Sequence, residues 1–279
     1  MKFAQLVYGP AGGGKTDYAL SALWDQKTKT FKRPGLYVTF GKEGNSANDI
    51  PLVTFKDVAA GKSGRVKLTS PTLDSTKFAK DFLDLARGVY KLHRKALAEG
   101  KPVPFEVVIV DGITEFGLLY EQSFRNENPS AEKWAVWNTL LNYCVSVMQL
   151  LDPEELDAFV LVTARASEKR KGIENKSTNT VVGADPDYTL ADNIPYINGQ
   201  FRDQLPHYFA LVNYVKTEVK ATRRNGQPSR EPVHSVRMVA TDGEFLVKNQ
   251  WERQWLQSGK PRELDNTDFD SVLKIIEGL

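Results

Sequence analysis

The apolar residues in the first 166 positions fall into short runs, which are separated by stretches of helical periodicity. The runs stand at residues 3–8, 36–40, 105–110 and 158–162. A short apolar run of this kind predicts a strand buried on both faces, as in a parallel sheet covered by helices. Two weaker segments, residues 51–55 and 65–68, are interpreted as further strands.

Between these strands, apolar side chains recur at intervals of three and four residues. Asp74 and Ser75 precede one such stretch, so we expect them to cap a helix that ends near Gly100. Residues 115–125 and 131–151 predict two further helices. The second contains a stripe that we interpret as core: Trp134, Trp137, Leu141, Cys144 and Met148. The alternation of strands and helices predicts an α/β fold with a mainly parallel sheet that helices cover on both faces.

The sequence changes character after residue 166. Residues 167–200 are polar and rich in turn-forming residues, and a connection of this length is either a functional loop or a mobile one. From Tyr208 onward, segments of alternating polarity are separated by Asn225-Gly226 and Asp242-Gly243, which are strong hairpin signals. We therefore predict an antiparallel β-hairpin extension on the C-terminal side of the parallel sheet, followed by a C-terminal helix.

The bulk composition narrows the classes of partner and compartment. A formal net charge of +2 over 279 residues is nearly neutral, so affinity for nucleic acid has to come from local basic patches. Cys144 is the only cysteine, which excludes an internal disulfide and fits a reducing compartment. No apolar run approaches the ~18 residues of a membrane span, and the early first strand leaves no room for a signal peptide. We expect a cytoplasmic protein without a membrane partner.

The segment GPAGGGKT, residues 9–16, carries the clearest chemical signal. It matches the phosphate-binding loop (P-loop) pattern G-x-x-x-x-G-K-[ST] at every fixed position, between a predicted strand and a predicted helix. Glycines here let backbone N–H groups surround phosphate oxygens without interference from side chains. Lys15 is expected to reach the β- and γ-phosphates of ATP, and the Thr16 hydroxyl to bind Mg²⁺. The predicted ATP-binding residues are Gly9, Pro10, Ala11, Gly12, Gly13, Gly14, Lys15, Thr16 and Asp17.

Two polar residues follow buried strands and complete the predicted phosphate site. Asp111 comes directly after the run 105–110, and we expect it to hold Mg²⁺ through water. Thr163 follows the run 158–162, where it is placed to sense the γ-phosphate. An ordinary strand-end threonine is the alternative interpretation of Thr163.

Hydrolysis also needs a group that orients the attacking water. Many P-loop ATPases carry a glutamate directly after the metal-binding aspartate, but Gly112 occupies that place here. Glu43 and Glu115 are the two candidates. Glu43 is favoured, because a glycine-flanked loop at the carboxyl end of a strand faces the ligand crevice of an open sheet.

The succession of P-loop, YVTFGKEG, VVIVDGIT and FVLVTAR resembles the core of the RecA-type ATPases. That family includes the recombinases, hexameric replicative helicases and short phage-encoded single-strand-annealing ATPases, and the short chain is most similar to the last. The resemblance implies a RecA-like P-loop NTPase fold, Mg²⁺-dependent ATP hydrolysis and Glu43 as the catalytic glutamate. It further implies single-stranded DNA as the partner, in recombination or strand annealing, and a homo-oligomer that forms a ring or a filament. A single-strand DNA-binding protein is a further candidate partner, and the host cytoplasm is the expected compartment for a phage-encoded chain.

The family's terminal hairpin often carries a K-x-R motif that reaches the ATP of the neighbouring subunit. The corresponding segment, FLVKNQWER, contains Lys248, but Gln250 stands where the family often has arginine. The resemblance therefore implies Lys248 as a catalytic finger that acts in trans, without the arginine of the pair.

In such proteins the DNA contacts come from loops that follow the later core strands. Residues 167–177, SEKRKGIENKS, are the first candidate, and residues 220–230, KATRRNGQPSR, are the second. Basic side chains in either segment would neutralise phosphates. The predicted DNA-binding residues are Lys169, Arg170, Lys171 and Lys176.

Two other classes of protein use a P-loop. A kinase of a nucleotide or small molecule would use residues 167–200 as a lid, with Arg165 and Arg170 clamping the acceptor. A nucleotide-gated packaging or assembly protein is the other alternative. We expect a single RecA-like ATPase domain over residues 1–279, with a nucleotide-binding core at 1–166, a polar loop at 167–200 that is a candidate for DNA binding, and the hairpin extension with the C-terminal helix at 201–279.

Overall fold

The computed structural model describes residues 1–41, 47–69, 74–168, 173–175, 180–182, 193–196, 204–224, 227–240 and 246–279. In these ranges, none of the helices has both the length and the apolar character needed to cross a membrane.

The strands and helices follow one another along the chain as strand–helix units in the first part and mainly as strands in the second. The strands are β1 (Ala4–Gly9), β2 (Trp24–Asp25), β3 (Thr30–Phe31), β4 (Gly35–Phe40), β5 (Gly64–Leu68), β6 (Val107–Asp111), β7 (Phe159–Glu168), β8 (Ile173–Asn175), β9 (Thr180–Val182), β10 (Asn193–Pro195), β11 (Leu211–Arg224), β12 (Gln227–Arg237), β13 (Lys248–Asn249) and β14 (Glu263–Asp265). The α-helices are α1 (Lys15–Leu20), α2 (Phe55–Ala59), α3 (Ser75–Ala98), α4 (Ile113–Glu127), α5 (Lys133–Leu150), α6 (Pro153–Leu156), α7 (Glu252–Gln257) and α8 (Phe269–Glu277), and a 3₁₀ helix spans Leu205–Tyr208.

Within the described part of the chain, ten strands form one mixed sheet in the order β14-β12-β11-β1-β7-β6-β4-β5, with β10 also paired to β7 and β13 to β11. The pairs from β11 through β5 are parallel, whereas β10, β12, β13 and β14 make antiparallel pairs. The predicted α/β class, with a mainly parallel sheet and an antiparallel extension on the C-terminal side, is confirmed. Because β7 lies between β1 and β6, the carboxyl ends of these three strands meet at one edge of the sheet.

Helices cover both faces of the sheet, since alternate strand residues belong to two different buried clusters. Leu6 and Tyr8 of β1 pack on the side of α3, α4 and α5, whereas Val7 packs on the side of α1, α7 and α8. The helix α3 begins where the sequence predicts, because the Asp74 carboxylate accepts a hydrogen bond from the Lys77 backbone N–H at 2.7 Å. The strands β1, β4 and β6 are therefore buried on both faces, as their apolar runs predict.

The segment 51–55 is not the strand that its apolar residues predicted. Leu52 makes only an isolated bridge with Arg65, and Phe55 is the first residue of α2. Thr54 and Asp57 form a capping box, in which each side chain bonds to the other residue's backbone N–H. This local pairing satisfies the first N–H groups of a helix and so favours helix over strand.

The second predicted hairpin is also wrong, because β13 pairs with β11 rather than with β12. The last pair between β11 and β12 joins Tyr214 to Arg237, which leaves the start of β11 open for β13. The first hairpin is confirmed, since β11 and β12 pair as far as Arg224 and Gln227, and the predicted turn residues 225–226 lie outside the described residues. Residues 242–243, the second predicted turn, lie outside them as well.

Two further expectations need correction. The stretch 167–200, predicted as a loop, contains the end of β7 together with β8, β9 and β10, and β10 pairs back onto β7. Trp134 of the predicted core stripe is 62% exposed, because its indole N–H donates to Glu132 at the start of α5 instead of packing inward. Cys144 and Met148 of the same stripe are buried as predicted.

Candidate functional site

The P-loop connects the carboxyl end of β1 to α1 through a turn that requires glycine. Gly12 and Gly14 have φ angles of 72° and 86°, in the left-handed region that favours glycine. A Cβ atom on Gly9 would lie 1.9 Å from the Val215 carbonyl oxygen, so the neighbouring strand β11 also demands a glycine there. The Lys15 ammonium donates to the Pro10 carbonyl at 2.7 Å, which holds the side chain over the turn.

Asp111 is a buried carboxylate that three hydroxyl groups surround. It is 1% exposed, and Thr16 Oγ1 donates to its Oδ2 at 3.0 Å. The hydroxyl groups of Tyr37 and Thr163 also donate to this carboxylate. These donors take the place of water around a charge that would otherwise be costly to bury. The P-loop, β4, β6 and β7 therefore converge on one carboxylate.

The sheet register explains why these residues meet. Val7 of β1 pairs with Thr163 of β7, and Val110 of β6 pairs with Val162 of β7, so Asp111 and Thr163 are level with the end of β1. Thr16 reaches them from the first turn of α1. The predicted cluster of Lys15, Thr16, Asp111 and Thr163 is thus brought together at one edge of the sheet.

A cavity of about 280 Å³ opens beside this cluster. Its lining residues come from the P-loop, the start of α4 and the end of β7: Ala11, Gly12, Lys15, Thr16, Gly112, Thr114, Glu115, Thr163, Ala164 and Arg165. The walls therefore combine backbone turns, hydroxyl groups and cationic side chains, which are the groups that bind phosphate.

Glu115 and Arg165 form an ion pair at the mouth of this cavity, with 3.0 Å between the guanidinium and the carboxylate. Glu115 is 19% exposed and Arg165 45%, so the pair is reachable by solvent. A Cβ atom on Gly41, at the end of β4, would lie 3.5 Å from Glu115 Oε1. Glu43, the other candidate glutamate, lies outside the described residues.

Thr114 ties the cavity to the segment that contains β10. Its hydroxyl donates to the Tyr196 carbonyl at 2.6 Å and accepts from the Arg165 backbone N–H at 2.9 Å. Arg165 and Tyr196 are also joined through the backbone, at 2.6 Å. The end of β7 is therefore fixed between α4 and the β10 segment.

The sequence interpretation did not identify Tyr37 and Thr114 as parts of the site, and it assigned Arg165 only to the kinase alternative. Strand alternation offered a signal for two of them. Arg165 lies two residues after Thr163 on the same face of β7, and Tyr37 lies two residues before Thr39, which pairs with Asp111. No sequence pattern pointed to Thr114, because its hydroxyl contacts the backbone of Tyr196, which is distant in sequence.

Asp17 lies on the other side of the P-loop from the cavity that Lys15 and Thr16 line. It is exposed and lines a second cavity of about 340 Å³, together with Gly14, His234 and Asn266. The Tyr18 phenol forms part of the same wall, and burial raises its pKa far above the usual range, so it stays uncharged. The P-loop therefore separates two cavities.

Lys248 is not near the P-loop of its own chain. It pairs with Val212, which is level with Leu6 near the start of β1, whereas the P-loop follows Gly9 at the opposite end of that strand. Its ammonium donates to the Pro206 carbonyl at 3.3 Å. A role in trans stays a prediction, and the predicted position at the end of a hairpin is wrong because β13 pairs with β11.

The predicted DNA-binding residues Lys169, Arg170, Lys171 and Lys176 lie outside the described residues. The second basic segment, residues 220–230, belongs to the β11–β12 pair, whose backbone is described except for residues 225–226. Comparison with known proteins adds no family: no protein-family model matches the chain, and no curated protein matches it either.

Proposed function

We propose that the chain is a Mg²⁺-dependent ATPase of the RecA-like P-loop type, which acts on single-stranded DNA as an oligomer in recombination or strand annealing. One observation carries this proposal: the P-loop hydroxyl of Thr16 bonds to the buried carboxylate of Asp111 at 3.0 Å, beside a cavity that Lys15 lines. A P-loop that served only as a turn would have no need of a buried carboxylate at its metal-binding hydroxyl.

The residues present fit a magnesium ion bound to ATP. Thr16 and Asp111 offer hydroxyl and carboxylate oxygens, which are the ligands that Mg²⁺ prefers. When bound, Mg²⁺ would neutralise charge on the β- and γ-phosphates. Lys15 would exchange its bond to the Pro10 carbonyl for phosphate oxygens, and Thr163 is close enough to Asp111 to report the state of the same site.

Two glutamates are candidates for the group that orients the attacking water. Glu115 lines the phosphate cavity, but its carboxylate is engaged by Arg165 at 3.0 Å. Glu43 follows β4 in the sequence and lies outside the described residues, and the resemblance to the RecA-type core favours it. We therefore keep Glu43 as the proposed base, and we assign Glu115 to holding Arg165 at the cavity.

Arg165 is a cation of the same subunit that faces the phosphate cavity. Phosphoryl transfer accumulates negative charge, and P-loop enzymes commonly offset it with an arginine or lysine. Arg165 fits that role in cis, whereas Lys248 remains the proposed finger in trans.

Single-stranded DNA is proposed as the partner because β7 links the two relevant regions. This strand carries Thr163 and Arg165 at the cavity and ends at Glu168, immediately before Lys169, Arg170 and Lys171. Basic side chains in such a segment would neutralise phosphates of a single strand. DNA contact and the phosphate site would then share one strand.

The kinase alternative is favoured by one observation, the presence of Arg165 at the mouth of the cavity, where it would also clamp a phosphoryl acceptor. Phosphate release from Mg²⁺-ATP, measured with and without single-stranded DNA, separates the two. The ATPase proposal predicts release that DNA stimulates, and release that DNA leaves unchanged would contradict its DNA part. Slow release together with rapid transfer to a small acceptor would support the kinase.

A further inference from the structure

Thr114 lies beside an interval between two ladders of the strand β7. The last pair between β6 and β7 joins Val110 to Val162, and pairing between β10 and β7 begins only at Ala166. Arg165 lies in this interval, and it lines the phosphate cavity. The position of the Arg165 backbone therefore depends on what fills the space between the two ladders.

The Thr114 hydroxyl fills that space. It accepts a hydrogen bond from the Arg165 backbone N–H at 2.9 Å and donates to the Tyr196 carbonyl at 2.6 Å. Tyr196 in turn donates its backbone N–H to the Arg165 carbonyl at 2.6 Å. Because Thr114 is 3% exposed, its bonds lie in a region of low dielectric constant, where hydrogen bonds are stronger than in water. The Arg165 backbone is thus held at both its N–H and its carbonyl group.

These bonds close a ring that includes the buried carboxylate of Asp111. Thr114 lies three residues after Asp111, in the first turn of α4. Thr163 lies two residues before Arg165 on the same face of β7, and its hydroxyl donates to Asp111. The ring therefore runs from Asp111 along the chain to Thr114, across to Arg165, back along β7 to Thr163 and by a hydrogen bond to Asp111. Such a ring fixes the distance between the carboxylate and the backbone that carries the guanidinium.

The next residue of α4 holds the other end of Arg165. The Glu115 carboxylate lies 3.0 Å from the guanidinium, and the Arg165 side chain is nearly half exposed. A long side chain with this exposure has many rotamers open to it, so its direction depends on the backbone from which it starts. A displacement on the order of 1 Å at an active site can cost about 100-fold in rate. The bond that fixes the Arg165 backbone is therefore as important as the one that holds its charged end.

We infer that Thr114 is a positioning residue, which sets where the Arg165 guanidinium meets the transferring phosphate. The inference rests on the proposed function, in which Arg165 offsets negative charge in cis. It adds that the first turn of α4 holds this cation twice, through Thr114 at the backbone and through Glu115 at the side chain. A residue that acts through Arg165 in this way should raise turnover without strengthening the binding of Mg²⁺-ATP.

The test measures phosphate release from Mg²⁺-ATP by Thr114→Val, which keeps the shape of the side chain but lacks the hydroxyl. We expect kcat to fall about tenfold with KM unchanged, and Thr114→Ser to recover most of the loss because it restores the hydroxyl. Thr139→Val is the matched control, since the Thr139 hydroxyl also donates to a backbone carbonyl, that of Ala135 in α5. This control should leave kcat unchanged. Thr114→Ala takes the place of the valine variant should that variant fail to fold.

Arg165→Ala separates positioning from a merely structural role, because this variant keeps the backbone N–H that bonds to Thr114. In the Arg165→Ala background, Thr114→Val should therefore have no further effect on kcat. The same tenfold loss in both backgrounds overturns the inference and leaves the ATPase proposal standing, as does a wild-type kcat in either single variant. A folded wild type that releases no phosphate from Mg²⁺-ATP overturns both.

Discussion

Thr16 and Asp111 are 95 residues apart in sequence, yet the hydroxyl of one donates to the carboxylate of the other at 3.0 Å. The contact joins α1, the helix that follows the P-loop, to β6, and β7 lies between β6 and β1 in the sheet. Because Asp111 is almost fully buried, the bond holds the Thr16 hydroxyl against the carboxylate. A hydroxyl and a carboxylate fixed in this way are what the proposed Mg²⁺ site would need.

Asp111→Asn should leave the fold intact and remove most of the Mg²⁺ dependence of nucleotide binding. The amide has nearly the same shape, but it carries no charge to hold the metal. We expect ATP turnover to fall at least on the order of 100-fold, measured as phosphate release over a range of Mg²⁺ concentrations. Tyr37→Phe is the matched control, since it removes one hydroxyl donor to Asp111 and should have a much smaller effect. Equal effects of the two variants would argue against a metal role for Asp111.

Glu43→Gln should bind Mg²⁺-ATP with normal affinity but stop turnover, because only the orientation of water is lost. A loss of about 10²- to 10⁴-fold is the usual range for such a group. Glu115→Gln should slow turnover less, since its main contact is the ion pair with Arg165. Parallel binding and single-turnover measurements separate the two steps. If Glu115→Gln abolishes turnover and Glu43→Gln does not, the assignment of the two glutamates is reversed.

Replacing Lys169, Arg170 and Lys171 with alanine should flatten the salt dependence of single-stranded DNA binding. Each cation that neutralises a phosphate contributes about 0.7 to the slope of log affinity against log salt, so the triple variant should lose about 2. Fluorescence anisotropy at several salt concentrations gives the slope. The control replaces Lys80, Lys91 and Lys95, three exposed lysines on α3, and makes the same change in net charge. An identical slope in both triple variants would place the DNA contacts elsewhere.

The sequence predicted those residues of the site that belong to a fixed motif or that directly follow an apolar strand. The P-loop, Asp111 and Thr163 all follow apolar strands, and parallel strands bring their carboxyl ends to one edge. Strand alternation places Tyr37 on the same face of β4 as Thr39, but the sequence does not show that β4 lies beside β6, so the contact of Tyr37 with Asp111 was missed. The partner of β13 was missed for the same reason, since strand pairing over long distances leaves no local signal.

Local competition explains the misassigned segment at 51–55. Apolar residues there suggested a strand, but Thr54 and Asp57 make a capping box, which starts a helix at Phe55. The sequence did not predict the second cavity, for a different reason. It is formed by Asp17 and Asn266, which are far apart in the chain and become neighbours only through the fold.

The burial of His93 is expected to make the folded protein less stable at acid pH. Its Nδ1 donates to the Leu156 carbonyl at 2.7 Å, and burial lowers the pKa of the ring below the usual value. The unfolded chain therefore takes up a proton more readily than the folded chain, so stability present above pH ~6.5 is lost as the pH falls toward the folded pKa. Between pH 7.5 and 5.5, the free energy of unfolding of the wild type should fall by more than that of His93→Gln. Urea titrations at both pH values measure this, and parallel pH profiles of the two proteins would exclude His93 as the cause.

The most direct test of the ATPase proposal is phosphate release by Lys15→Ala, measured beside the wild type and Lys80→Ala. Lys80 is an exposed lysine on α3, so its replacement makes the same change in charge far from the P-loop. With thermal melting as a check on folding, we predict normal turnover in the wild type and in Lys80→Ala. Lys15→Ala should lose turnover by at least on the order of 100-fold and bind ATP weakly, because its ammonium lines the phosphate cavity. A folded Lys15→Ala protein that hydrolyses ATP at the wild-type rate would contradict the proposal.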